Sequence, residues 1–175
     1  EKIYLALISA NALEAIRFYV SFACTFSFKE RNLLDSSYKI MKLICRDENV
    51  HLVLVNKIIN ILNKTDPEFK EIILDNRSKA IDIFNEAAEQ EKEWASYLFS
   101  EGAILLLNEN ILHKFIDHLM NIRMPSVGLA KFNRNITNPI SWFDKHLSND
   151  SIQVAPQEVE IASYLTGNIK GDLSS

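Results

Sequence analysis

Glu48 and His51 stand at i and i+3 in the run Arg46-Asp47-Glu48-Asn49-Val50-His51. In a helix these positions share a face one turn apart, so a carboxylate and an imidazole can reach the same metal ion. The bare spacing more often describes a solvated or merely packed pair, because Glu-x-x-His arises in many helices by chance. A third carboxylate, Glu14, sits in the largely apolar stretch Ala10-Asn11-Ala12-Leu13-Glu14-Ala15-Ile16. A carboxylate in such surroundings needs a partner. On one continuous helix Glu14, Phe18 and Phe22 follow at i, i+4 and i+8, which puts a potential ligand and two rings on one stripe. An ordinary aromatic core stripe would have the same pattern.

The elements that must position these residues read as helices. Four Gly and four Pro in 175 residues, with few alternating apolar and polar stretches, give the low punctuation of an all-α domain. The periodicity predicts helices over 3–28, 36–63, 67–99 and 110–123. Thr65-Asp66-Pro67 supplies a cap and a first-turn proline for the third, and Gly102 lies just beyond its end. After Met124-Pro125 the pattern weakens to a short amphipathic stretch at Pro139-Ile140-Ser141-Trp142-Phe143. Long helices joined by short turns predict a helical bundle over residues 1–147, and 148–175 read as an extended tail.

Composition narrows the function classes. A 47% hydrophobic and 24% charged chain is globular in type and long enough for one domain. Its net charge of −4, with both signs interspersed and no basic block, argues against nucleic acid as a partner. Cys24 and Cys45 lie in apolar runs without CxxC spacing and read as reduced thiols of a cytoplasmic protein. Asn11, Glu14 and Arg17 interrupt the most apolar run, which falls short of the roughly 20 unbroken residues a membrane span requires. No membrane crossing is expected. Glu1-Lys2-Ile3-Tyr4 enters a helical pattern at once, with neither an initiating Met nor a signal-peptide pattern, so the chain reads as starting mid-protein.

Longer words carry a specific resemblance. Asn11-Ala12-Leu13-Glu14-Ala15-Ile16-Arg17-Phe18-Tyr19-Val20-Ser21-Phe22-Ala23-Cys24 is followed in order by Arg46-Asp47-Glu48-x-x-His51, Glu89-Gln90-Glu91-Lys92-Glu93-Trp94-Ala95 and Asn121-Ile122-Arg123-Met124. Asn138-Pro139-Ile140 and Val154-Ala155-Pro156-Gln157-Glu158-Val159-Glu160 complete the series. Together they resemble the class Ia ribonucleotide reductase small subunit of the bacterial and phage type, over essentially the whole chain.

That resemblance implies the C-terminal half of a ferritin-like di-iron bundle. Glu14, Glu48 and His51 would be metal ligands, chiefly to the second iron of an oxo-bridged pair. Phe18, Phe22 and Ile44 would line the apolar pocket that shields a stable tyrosyl radical from water and reductants. Asp47 points about 100° away from Glu48 around the helix and would accept a hydrogen bond from another helix's ligand histidine. Arg46 would join the same polar network or a surface ion pair, and Ser21 would bond within its own helix. In the tail, Tyr164 would relay the radical between subunits, with Glu158 assisting proton movement. His113, His118 and His146 read as structural or surface residues, and Glu86, Glu89, Glu91 and Glu93 as a solvated acidic face.

The same resemblance implies partners: a large catalytic subunit, a second small subunit, and the upstream half that carries the remaining ligands and the radical tyrosine. No second Glu-x-x-His occurs here, so three ligand side chains cannot complete two irons. The chain is expected neither to generate a radical nor to fold fully alone, and reads as a fragment, a partial read or one piece of a split gene. The resemblance implies a di-iron centre, with a mixed manganese and iron pair left open because the radical residue lies outside this sequence. Two other readings fit the site words: a different ferritin-like carboxylate protein, such as an oxidase or iron store, and a non-catalytic helical interaction module.

Overall fold

The computed structural model describes residues 1–132 and 136–147. Seven α-helices and one short 3-10 turn account for its elements, and no strand occurs among the described residues beyond an isolated bridge between Ile104 and Leu107. The helices are α1 (Lys2–Ile16), α2 (Tyr19–Lys29), α3 (Asp35–Thr65), α4 (Pro67–Asp75), α5 (Arg77–Leu98), α6 (Glu109–Ser126) and α7 (Asp144–Leu147). A 3-10 turn at Ser141–Phe143 leads into α7. The all-α expectation is met; the expected tail at 148–175 lies outside the described residues.

Helix α1 is the hub, packed against α3, α5 and α6. Tyr4, Ile8, Ala12, Ala15 and Ile16 are buried along it. By length and composition Lys2–Lys29 is apolar enough to cross a membrane. In the fold that stretch is two helices separated by a break, and Tyr4, Ile8, Ile16, Val20, Phe22 and Phe26 enter the protein core while Ile3, Leu13 and Phe18 stay exposed. A polar tether fixes the hub: Asn11 Nδ2 donates to Asn56 Oδ1 on α3 at 2.7 Å, and Ser126 Oγ on α6 donates to the same oxygen at 3.2 Å.

Two of the expected helices are broken. The first, 3–28, is interrupted where Arg17 turns extended (ψ 150°) and Phe18 takes a left-handed conformation (φ 75°, ψ −16°). A phenylalanine there costs about 1–3 kcal/mol, so surrounding contacts must impose it. The third, 67–99, divides at Asn76, whose Nδ2 donates to the Ile72 carbonyl at 2.9 Å and so competes for an acceptor of the helical ladder. The expected cap at the start of that helix is present: Asp66 accepts from the Phe69 amide at 3.1 Å, with Pro67 in the first turn. The fourth helix runs through Pro125 to Ser126, three residues further than its pattern indicated.

Helix α3 buries a seam and leaves its other side open. Cys45, Leu52 and Ile59, spaced by seven residues, are its buried positions. Ile40, Ile44, Val50, Val53, Leu54 and Ile61 on the same helix are exposed. Large exposed apolar patches mark interaction faces. Phe143 is fully buried and packs on Phe26, Phe115 and Tyr19 with ring centroids 5.3, 5.1 and 6.0 Å away. Beside it His146 bridges Tyr38 Oη and Glu30 Oε1, each at 3.0 Å, which ties α7 to α2 and α3. His146 is thus structural, as expected.

Candidate metal centre

Glu14 lies in the last turn of α1, and Glu48 with His51 lies midway along α3. Packing of the two helices gathers all three: one ligand atom from each residue lies within 4.8 Å of the others. His51 Nδ1 is 3.4 Å from Glu48 Oε2 and 3.7 Å from Glu14 Oε2. Both carboxylates are mostly shielded, at 19% and 20% side-chain exposure, while the imidazole is 57% exposed. The cluster therefore opens on one side, the side where α3 shows its unpaired apolar residues.

The electrostatics of the cluster favour a cation. Glu14 Oε2 is buried and has no hydrogen-bond partner. Burial, together with the Glu48 carboxyl beside it, pushes the Glu14 carboxyl up to about 7 against the weaker opposing pull of His51. Two carboxylates and an imidazole are hard and borderline donors suited to iron, manganese or zinc. A divalent cation would supply the orphaned oxygen with a partner and remove the repulsion between carboxylates, so these residues fit a metal. Metal binding must displace the Glu14 proton. Affinity for Fe(II), measured anaerobically, is accordingly expected to fall by up to about tenfold for each pH unit below about 7. A flat profile between about pH 5.5 and 8 would contradict this.

The remaining expected site residues are distributed differently. Phe22 is sealed in the core at 1% exposure, stacked on Phe26 at 6.2 Å, whereas Phe18 and Ile44 are 47% and 41% exposed. The single stripe of Glu14, Phe18 and Phe22 does not form, because the break at Phe18 lies between the ligand and the second ring. Asp47 is exposed, its Oδ1 3.5 Å from Arg46 Nε. Ser21 departs from the expected bond within its own helix: its hydroxyl accepts from Trp94 Nε1 on α5 at 3.2 Å. Tyr164 and Glu158 lie outside the described residues.

The acidic run on α5 needs a correction. Glu86, Glu89 and Glu93 are exposed as expected, but Glu91 is buried at 6% and accepts from the Val20 amide at 2.9 Å. Periodicity could have located it, since Glu91 lies on the same helical face as the buried Phe84, Ala87, Ala88 and Ala95. A second buried group was not legible from sequence at all. The Tyr19 hydroxyl, fully enclosed, accepts from Arg123 Nη2 at 2.9 Å and donates to Asn49 Oδ1 at 3.2 Å, linking α2, α6 and α3. Cys24 and Cys45 are free thiols, pushed up by burial to about 11 and about 12.

A family profile described as ribonucleotide reductase, small chain, matches residues 1–139. The chain belongs to that family. Among its relatives, the ribonucleoside-diphosphate reductase subunit beta of Buchnera aphidicola from Acyrthosiphon pisum is 48% identical over 99% of this chain and 47% of its own length. The protein of the same name from Haemophilus influenzae is 50% identical over 97% of this chain and 46% of its own length. The ribonucleotide reductase R2 subunit from Clostridium botulinum superposes with a TM-score of 0.69 at 27% identity, over 82% of this chain and 44% of that one. The ribonucleotide reductase small-chain fold is therefore shared, and the chain spans about half the length of the curated relatives it matches. Membership in this family replaces the broader reading as some other ferritin-like carboxylate protein.

Proposed function

We propose that this chain provides half of the metal-binding bundle of a ribonucleoside-diphosphate reductase small subunit, with Glu14, Glu48 and His51 as its ligands. The observation that carries the reading is the convergence of those three side chains around a buried Glu14 oxygen with no partner. Iron bound there would supply, with oxygen, the one-electron oxidation that creates a tyrosyl radical; a manganese and iron pair would serve the same ligands. The chain's own residues bind and shield. Glu14 gives up its proton on binding, His51 offers a ring nitrogen, and Phe22 adds a ring sealed in the core.

Three side chains cannot fill the coordination of two irons, so the rest of the ligand set comes from residues outside these 175. The exposed apolar side of α3 supports that requirement, since it needs a helical partner next to the open side of the cluster. Phe18 and Ile44 belong to this side, and with Phe22 we assign them to the radical's apolar wall. Asp47 is assigned to a ligand histidine of the added helices. Tyr164 is the radical relay to the large catalytic subunit, and Glu158 its proton partner. The relatives' designation as subunit beta supports assembly with a large subunit, and we extend this to a pair of small subunits. The two free thiols support a cytoplasmic setting.

The test is complementation. This chain, combined with the segment that carries the remaining ligands and treated with Fe(II) and oxygen, is expected to take up iron and give a tyrosyl radical signal in electron paramagnetic resonance. Absence of both iron uptake and signal would refute the proposal.

A further inference from the structure

We propose that Glu91 is a positioning residue for the metal site: from α5 it caps the start of α2, holds the Phe18 break open, and so fixes where α1 presents Glu14. The inference rests on the metal-site reading above and extends it to a residue that touches no ligand. A helix start leaves its first amides without intrahelical acceptors, and these ordinarily find a side chain of the capping residue. Phe18, at the capping position of α2, has no side-chain acceptor to offer. Glu91 takes over that role from a helix 71 residues away: its Oε1 accepts from the Val20 amide at 2.9 Å. A buried negative charge is costly unless it is satisfied. Here the Val20 amide and the positive end of α2 offset part of that cost, though burial still pushes the Glu91 carboxyl above the usual carboxylate range.

The contact is one part of a clasp. Gln90 takes the Arg17 guanidinium on the α1 side of the break, and Trp94 donates to Ser21 on the α2 side. Three contacts from neighbouring positions of α5 thus bridge the break, with Glu91 at its centre. Glu14 lies three residues before Arg17, in the last turn of α1, so the end of α1 that carries the ligand is tied to α5 through the clasp. Were Phe18 to return to the helical conformation, α1 and α2 would rotate relative to each other, and Glu14 would turn away from Glu48 and His51.

The experiment uses the assembled small subunit, this chain with the segment supplying the remaining ligands, and reads Fe(II) affinity together with amide hydrogen exchange. Glu91→Leu is expected to weaken Fe(II) binding about 10- to 100-fold, the range seen when a residue supporting a ligand is lost, and to speed exchange of the Val20 amide. Glycine adopts φ 75° without strain, so Phe18→Gly added to Glu91→Leu is expected to restore most of the affinity. Loss of buried packing alone would not be rescued in that way. Glu91→Gln keeps an acceptor and serves if the leucine variant does not assemble: Val20 exchange should rise by about fivefold, as a charged hydrogen bond becomes neutral, with a smaller loss of affinity. If wild-type subunit takes up iron and Glu91→Leu stays within about twofold of it, or if Val20 exchange is unchanged in Glu91→Gln, this inference alone falls. If wild-type subunit takes up no iron, the metal-site reading falls and carries this inference with it.

Discussion

Alanine at Glu48 or His51 is expected to reduce the Fe(II) affinity of the assembled small subunit by well over about 100-fold, more than the loss of any supporting residue. The reason is geometric. Glu48 and His51 come from one turn of α3 and Glu14 from the facing end of α1, so removal of either α3 ligand leaves the remaining donors on opposite helices. Glu48→Ala has a second consequence. The Glu14 carboxyl loses the neighbouring negative charge that helps to hold it up at about 7, and what remains is the larger effect of burial. Its pH threshold for metal uptake is therefore expected to move down, but not to the ordinary carboxylate range. His51→Ala removes an opposing pull and moves the threshold up. Asp47→Ala, at an exposed side chain beside Arg46, is expected to fall in the milder range of about 10- to 100-fold. Anaerobic Fe(II) titration with a chromophoric chelator measures all three. Equal losses for Asp47→Ala and Glu48→Ala would contradict the assignment of Glu48 as ligand.

Alanine at Phe143 is expected to be the most destabilising single change in the core, costing about 3–5 kcal/mol. The ring is fully buried and sits among Tyr19, Phe26, Phe115 and Trp142, the last with its centroid 6.3 Å away. It is the anchor by which the 3-10 turn and α7 join the bundle, so its removal leaves both a cavity and a detached C-terminal element. The His146 contacts to Tyr38 and Glu30, with the packing of Ile140, Trp142 and Leu147, then have to hold α7. Since a domain's total stability is typically about 5–15 kcal/mol, the loss is a large fraction of it. Urea unfolding of the assembled subunit, followed by circular dichroism, gives the number. A cost below about 1 kcal/mol would show that the site collapses around the missing ring and that α7 contributes little.

The helices and their approximate ends were legible because they rest on local chemistry. Few glycines and prolines, Asp66 with Pro67 as a start signal, and long amphipathic periods each act within a few residues of chain. The candidate metal cluster was legible in part for the same reason: Glu48 and His51 share a helical turn, and an apolar setting marked Glu14 as a carboxylate in need of a partner. Their joint placement came from resemblance over many residues, and the packing of α1 on α3 then put donor atoms of all three within 4.8 Å.

What only the tertiary structure decided is the break between α1 and α2 and everything that depends on it. Arg17-Phe18-Tyr19 carries no glycine, proline or capping side chain, and local preference would run the helix straight through. At the break Glu91, distant in sequence, accepts from the Val20 amide in the first turn of α2. An interaction between residues 71 positions apart leaves no periodic trace in the segment it caps, so the acidic run on α5 read as wholly solvated when one of its four members was buried. The same limit applies to Tyr19, Asn49 and Arg123, three ordinary residues that become one buried network only when α2, α3 and α6 meet. Sequence by itself determined the helical class and the three candidate ligand side chains; long-range contacts decided where the helix that carries the first of them ends.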